Sequence, residues 1–230
     1  MKVEILSDAD AVARRAAELI ASDARSAIAA RGAFTFAVSG GRTPWEMLRL
    51  LGEMEAPWHE VHLFQVDERV APTGDPDRNF THIGETLLSR AELPLNRIHP
   101  MPVEETDLTA AVARYAANLS AAAGSPPVLD LVHLGLGPDG HTASLVPGDP
   151  VLDVADADVA VTGVYQNRRR MTLTYPLINR ARRILWVVTG TDKAAMLERL
   201  RAGDTSVPAG RVDQARAVLL ADRAAAGQRA

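Results

Sequence analysis

The sequence predicts an α/β fold, a mostly parallel sheet with helices on both faces. Three observations carry this. Short apolar runs alternate along the chain with longer stretches of helical period. Among those runs, 34–38 is of the type buried in a sheet and 184–189 is strongly strand-like. Four apolar runs lead straight into glycine- and charge-rich segments, the position where open α/β sheets hold their ligands.

Each element has a local reason. Residues 2–6 (KVEIL) form a short strand, after which Ser7 or Asp8 caps a long alanine-rich helix with Val12, Ala16, Leu19, Ile20 and Ile28 on one stripe. Gly32 ends it. Residues 34–38 (FTFAV) are a strand, followed by the turn Ser39-Gly40-Gly41-Arg42-Thr43 and a helix with Pro44 at its first position. A strand at 61–66 runs into Asp67-Glu68-Arg69 and a Pro/Gly/Asp-rich loop, and helices are expected near 79–89 and 108–123. The strand 128–134 flows into Gly135-Leu136-Gly137-Pro138-Asp139-Gly140-His141. Strands at 157–163, 170–174 and 184–189, a helix at 191–201 and a strand at 217–220 complete the pattern. With no repeat and no break in composition, residues 1–230 are expected to form one domain, its end 223–230 frayed.

With 47% hydrophobic and 23% charged residues, the chain has the balance of a soluble globular protein. At 230 residues it should bury roughly 70–75% of its unfolded surface without staples. It has no cysteine, which removes thiolate nucleophiles and Cys-based zinc sites and suits a cytoplasmic compartment. A net charge of −4 and only ten aromatic residues argue against nucleic acid as a partner. The acidic N-terminal residues lack a signal-peptide core, and no stretch approaches the ~18 apolar residues of a membrane span.

The candidate chemistry lies at the four strand ends. Ser39-Gly40-Gly41-Arg42-Thr43-Pro44 reads either as a tight strand–helix turn or as a cradle of backbone N–H groups for an anion. Asp67-Glu68-Arg69 reads as a solvated charge cluster, or as a guanidinium fork for phosphate with Asp67 a hydroxyl acceptor or base. His141, two residues after Asp139 and among three glycines, sits where the chain bends tightly and where a group titrating near neutrality can move a proton. Lys193, in Gly190-Thr191-Asp192-Lys193, is the one lysine besides Lys2 in a chain that otherwise uses arginine, a reason to place an ammonium at a phosphate. One member of the run Arg168-Arg169-Arg170 is a candidate to close on the same group. Asp75 and Asp77 alternate as in a calcium loop, but Pro76 and missing ligands speak against a metal.

Taken together, SGGRTP, DERVAP, GLGPDGHTAS and TGTDK, in this order and spacing, closely resemble the 6-phosphogluconolactonase family. The likeness extends over nearly the whole chain, to the closing PAGRVDQARAVLLAD. It implies a Rossmann-like α/β sandwich, similar to glucosamine-6-phosphate deaminase, and hydrolysis of 6-phospho-D-glucono-1,5-lactone in the oxidative pentose phosphate pathway. His141 would be the general base on an attacking water, with Asp139 and Asp67 positioning water, histidine or sugar hydroxyls. The phosphate would be held by the Ser39–Thr43 turn, chiefly the Gly40 and Gly41 backbone, by Arg69 and Lys193, and with help from Arg42 or Arg169. No metal or organic cofactor is implied, and the partner is a small phosphosugar lactone bound by a monomer or small homo-oligomer.

The resemblance also defines the rivals. Deaminases continue DGH-x-A with Phe-Asn-Glu-Pro, whereas this chain reads Ser144-Leu145-Val146-Pro147, so Val146 stands where the proton-moving glutamate would be. Arg69 likewise stands where deaminases tend to carry an aromatic residue, while Arg78-Asn79 replaces the Ser-Asn frequent in lactonases. A non-catalytic phosphosugar sensor, the third reading, would be expected to carry a segment for DNA or a partner.

Overall fold

The structure is a computed structural model that describes residues 1–228. Along it run β1 (Lys2–Leu6), α1 (Ala9–Arg31), β2 (Phe34–Val38), α2 (Arg42–Gly52), β3 (Val61–Gln65), β4 (Asp67–Arg69), α3 (Asn79–Ile83) and β5 (Ile98–His99). There follow α4 (Leu108–Ala123), β6 (Leu131–Leu134), β7 (Val159–Val161), β8 (Arg170–Leu173), α5 (Tyr175–Arg180), β9 (Ile184–Val188), α6 (Ala194–Arg201) and β10 (Ala217–Asp222). Among the described residues, seven strands pair in parallel in the order β1-β10-β9-β6-β2-β3-β5. The chain leaves β2 for β3 on one side and later fills β6 on the other. That reversal opens a crevice beyond the carboxyl ends of β2 and β6.

Alternation along the buried strands divides the core between two faces. Phe34, Phe36, Val38, Leu63, Leu185 and Val187 pack under α1 and α2. Ala37, Phe64, Val132, Trp186 and Leu219 pack on the other side with Tyr115 of α4, Ile178 of α5 and Leu197 of α6. The alanines of α1 belong to the first layer, so this helix covers the sheet. Asp8 caps α1 by accepting from the Ala11 N–H at 2.8 Å, and Gly32 closes it in the left-handed conformation. None of the described helices is long and apolar enough to cross a membrane.

Several expectations need correction. The strands near 157–163 and 170–174 do not join the parallel sheet; β7 and β8 form an antiparallel sheet with β4, in the order β4-β8-β7. The reason lies at Gln65, where β3 ends. Tyr115 Oη accepts from the Gln65 N–H at 2.8 Å and donates to its carbonyl at 2.9 Å, occupying the groups a longer β3 would present to a neighbour. The chain then turns and lays Asp67–Arg69 against Thr172–Arg170. The helix after the glycine turn starts at Arg42, with Gly41 as its cap at φ 125°, so Pro44 is its third residue. The charged β4, the two-residue β5 and the short α5 give no periodicity from which a sequence reading could find them. Residues 223–228 are not frayed: Ala225 is buried and its N–H donates to Asp222 at 2.7 Å. Residues 229–230 lie outside the described residues.

His133 ties the sheet to the glycine turn. It is fully buried in β6, and its Nδ1 accepts from the Ser39 N–H at 3.2 Å. Burial away from water pushes its pKa down to about 3. The unfolded histidine binds a proton near 6.5 and the folded one only near 3, so this contribution to stability is complete above the unfolded pKa and declines as pH falls. Going from pH 7 to pH 5 should therefore cost about 2 kcal/mol from this residue, read from urea midpoints. His99, lowered by burial to about 4, adds to the same slope. An unchanged pH slope in His133→Gln would remove His133 from this account.

Candidate active site

Four chain segments meet at the crevice. They line one cleft of about 370 Å³ with Ser39, Gly40, Gly41, Arg42 and Thr43 from the turn after β2, Asp67 and Arg69 from β4, Gly137 and His141 from the loop after β6, and Lys193 after β9. Of the residues singled out in the sequence, Asp139 and Arg169 are not among those lining the cleft. Asp139 lies behind His141 and contacts it directly.

The imidazole is held on one side only. His141 Nδ1 and Asp139 Oδ1 are 2.5 Å apart, and a carboxylate can only accept, so Nδ1 carries the proton. In the neutral ring the lone pair is therefore on Nε2, which has no partner among the described residues. Burial works to raise the Asp139 pKa, but the neighbouring His141 and hydrogen bonds from His141 and Tyr165 outweigh it and hold the carboxyl below its ordinary value. The ring lies so close over the Gly137 backbone that a Cβ there would clash with the imidazole. Asp67 is not the histidine's partner. Its Oδ2 accepts from Ser144 Oγ at 2.6 Å, and Asn79 Nδ2 donates to its backbone carbonyl at 2.9 Å.

The same cleft is lined by cations. The turn Gly41-Arg42-Thr43 opens α2, whose first N–H groups have no acceptor inside the helix. Arg42, Arg69, Arg170 and Lys193 add side-chain cations, set against the carboxylates of Asp67 and Asp192. Asp192 holds Lys193 at 3.0 Å, and Gly190 is fixed by its N–H donating to Asp222 at 3.1 Å. Arg69 donates to Asn79 Oδ1.

Arg170, not Arg169, reaches the cleft. Strand period decides this: β8 turns Arg170 inward, leaving it 4% exposed, while Arg169 faces outward with its Nε near the Thr162 carbonyl. Arg170 is buried enough that desolvation lowers its pKa, and its buried Nε has no partner among the described residues. Arg168 is engaged elsewhere, with Asp75 at 3.2 Å and Asp77 at 2.9 Å, so the two acids of the supposed calcium loop hold a guanidinium.

Sequence reasoning also missed the support beneath the cleft. Glu68, fully buried, accepts from Gln65 Nε2 and from the N–H groups of Arg69, Asn79 and Phe80, all at 2.8 Å. Arg78 lies 3.5 Å from it, so Arg78-Asn79 is a buried brace rather than a rim. Tyr165, Gln166 and Ser144 were missed as well. The only available signals were a glutamate inside an otherwise exposed-looking triplet and the alternation of the arginine run.

A model of the family glucosamine-6-phosphate isomerases/6-phosphogluconolactonase matches residues 7–220. The chain belongs to that family. Within the glucosamine-6-phosphate isomerase/6-phosphogluconolactonase family it is 37% identical to the 6-phosphogluconolactonase of Mycobacterium tuberculosis, over 98% of this chain and 97% of that protein. It is 36% identical to the 6-phosphogluconolactonase of Nostoc sp., over 87% and 85%. The crystal structure of 6-phosphogluconolactonase from Thermotoga maritima, 27% identical, superposes with a TM-score of 0.85 over 96% of this chain and 98% of that one. The family's Rossmann-like α/β architecture accounts for the parallel sheet and the helices on both its faces.

Proposed function

We propose that this enzyme hydrolyses 6-phospho-D-glucono-1,5-lactone to 6-phospho-D-gluconate in the oxidative pentose phosphate pathway. The observation that supports this best is one cleft lined both by a carboxylate-backed imidazole and by a set of cations. His141 Nε2 takes a proton from water as its oxygen bonds to the lactone carbonyl carbon. The ring C–O bond then breaks, and the departing C5 oxygen recovers a proton from the imidazolium. A lactone is already an activated ester, so no serine nucleophile is needed. Asp139 keeps the imidazole oriented, and Asp67, held by Ser144 and Asn79, accepts from sugar hydroxyls. The phosphate sits among the start of α2, Arg69, Arg170 and Lys193.

A deaminase reading finds less support. Val146, which stands in the place of the deaminase glutamate, is 4% exposed and does not line the cleft. The same proposal takes residues 1–230 as one catalytic domain, acting in the cytoplasm as a monomer or small homo-oligomer.

The test is a coupled assay on freshly generated lactone, with spontaneous hydrolysis subtracted, beside the unphosphorylated lactone. Charge-assisted contacts to phosphate are worth about 1.5–3 kcal/mol each. Arg69→Ala and Lys193→Ala should therefore each lower kcat/KM by about 10- to 100-fold and erode the preference for the phosphorylated substrate. If that preference is untouched in both variants, these cations do not hold the phosphate. Release of ammonia from glucosamine 6-phosphate would favour the deaminase instead.

A further inference from the structure

The hairpin between β7 and β8 reaches back to the histidine loop. Tyr165 and Arg168 exchange backbone hydrogen bonds at 3.0 and 3.2 Å around Gln166 and Asn167, whose φ values of 50° and 62° make a tight turn of the left-handed type. Asparagine adopts that conformation readily, glutamine less so. Arg168, bound to Asp75 and Asp77, fixes one flank of the turn, and Gln166 Oε1 accepts from Arg170 at 3.0 Å on the other. Tyr165 is thus delivered to a set place. Its hydroxyl donates to Asp139 Oδ2 at 3.1 Å, and its ring meets the His141 ring edge-on at 5.6 Å.

We propose that Tyr165 is a positioning residue for the lactonase reaction, acting through Asp139 on His141. The inference rests on the reading of His141 as the base. The two oxygens of Asp139 are shared out, Oδ1 to His141 and Oδ2 to Tyr165, which fixes the plane of the carboxylate and with it the direction of the imidazole. The hydroxyl also draws charge from the carboxylate and tempers its pull on the histidine proton. No other side chain shares Asp139 Oδ2 among the described residues.

The charged neighbours set the sign of the pH effect. Asp139 faces His141 on its own loop and Tyr165 on the hairpin. The Arg170 guanidinium lies 5.1 Å from the centre of the Tyr165 ring and itself faces Asp67, Glu68 and Arg69 of β4. Arg42, Asp192 and Lys193 complete the charged lining of the cleft. Tyr165→Phe keeps the ring beside Arg170 and His141 and removes only the hydroxyl. Without it the carboxylate attracts the protonated imidazole more strongly, so the acidic limb of kcat/KM moves to higher pH.

The experiment measures kcat and KM for Tyr165→Phe, Asp139→Asn, the double variant and His141→Ala from about pH 5 to 8. Tyr165→Phe should lower kcat about three- to tenfold with KM nearly unchanged, the size expected for one partly exposed hydrogen bond to a charged group. Its acidic limb should move to higher pH. In the Asp139→Asn background, loss of the hydroxyl should have no further effect. An unchanged kcat and limb in Tyr165→Phe, or a loss of equal size in both backgrounds, would overturn the role of Tyr165 while leaving the base reading intact. Full activity in His141→Ala would overturn the base reading and this inference with it.

Discussion

Replacing His141 with alanine should lower kcat by about 10²–10⁴-fold, the usual contribution of one positioned base. The expectation follows from the asymmetry of the ring: Nδ1 is tied to Asp139 and Nε2 has no partner among the described residues, which leaves Nε2 as the nitrogen open to a water in the cleft. The side chain lines the open cleft, so its removal widens the cleft rather than leaving a sealed void, and thermal unfolding should shift little. KM should also move little, since the cations that hold the phosphate are untouched. The measurement is kcat from the coupled assay after subtracting uncatalysed hydrolysis, with circular dichroism to establish the fold. A variant at the full wild-type rate would take His141 out of the chemistry.

Glu68→Ala should be the most damaging substitution for stability, by about 3–5 kcal/mol. The loss has three sources. The N–H groups of Arg69, Asn79 and Phe80 lose an acceptor, and buried donors without partners are expensive. Arg78, 2% exposed, loses its ion pair at 3.5 Å and keeps only Glu104. Gln65 Nε2 loses the contact that fixes the exit from β3. Because Asp67, Arg69 and Asn79 are arranged around this carboxylate, lactonase activity should fall with stability. Glu68→Gln should cost less, because its amide oxygen still accepts. Urea midpoints at constant slope give the comparison. A change below about 1 kcal/mol for the alanine variant would show that the loop after β3 is organised by something else.

The site was partly legible because its residues follow apolar strands in the chain. Ser39–Thr43, Asp67, Arg69, His141 and Lys193 each stand just beyond a run that buries itself, and burial of the run carries the following residues to the same edge of the sheet. The arginine run shows where such reading stops. Which of three neighbouring arginines turns inward depends on strand phase, and phase is set by pairing with β4, itself a charged triplet with no strand signature. The antiparallel sheet was missed for the same reason, and Tyr115, which ends β3 from a helix fifty residues away, leaves no local trace.

By itself, then, the sequence determined the parallel α/β core, the strand ends where chemistry gathers and the residue types available there, since all of these follow from local apolar period and turn chemistry. Tertiary structure alone decided that Asp139 rather than Asp67 backs the histidine, that Arg170 rather than Arg169 faces the cleft, and that Glu68, Arg78 and Tyr165 support it. Those assignments depend on pairing between segments up to about a hundred residues apart, and such pairing is fixed by the register of packed strands and the need to satisfy buried polar groups.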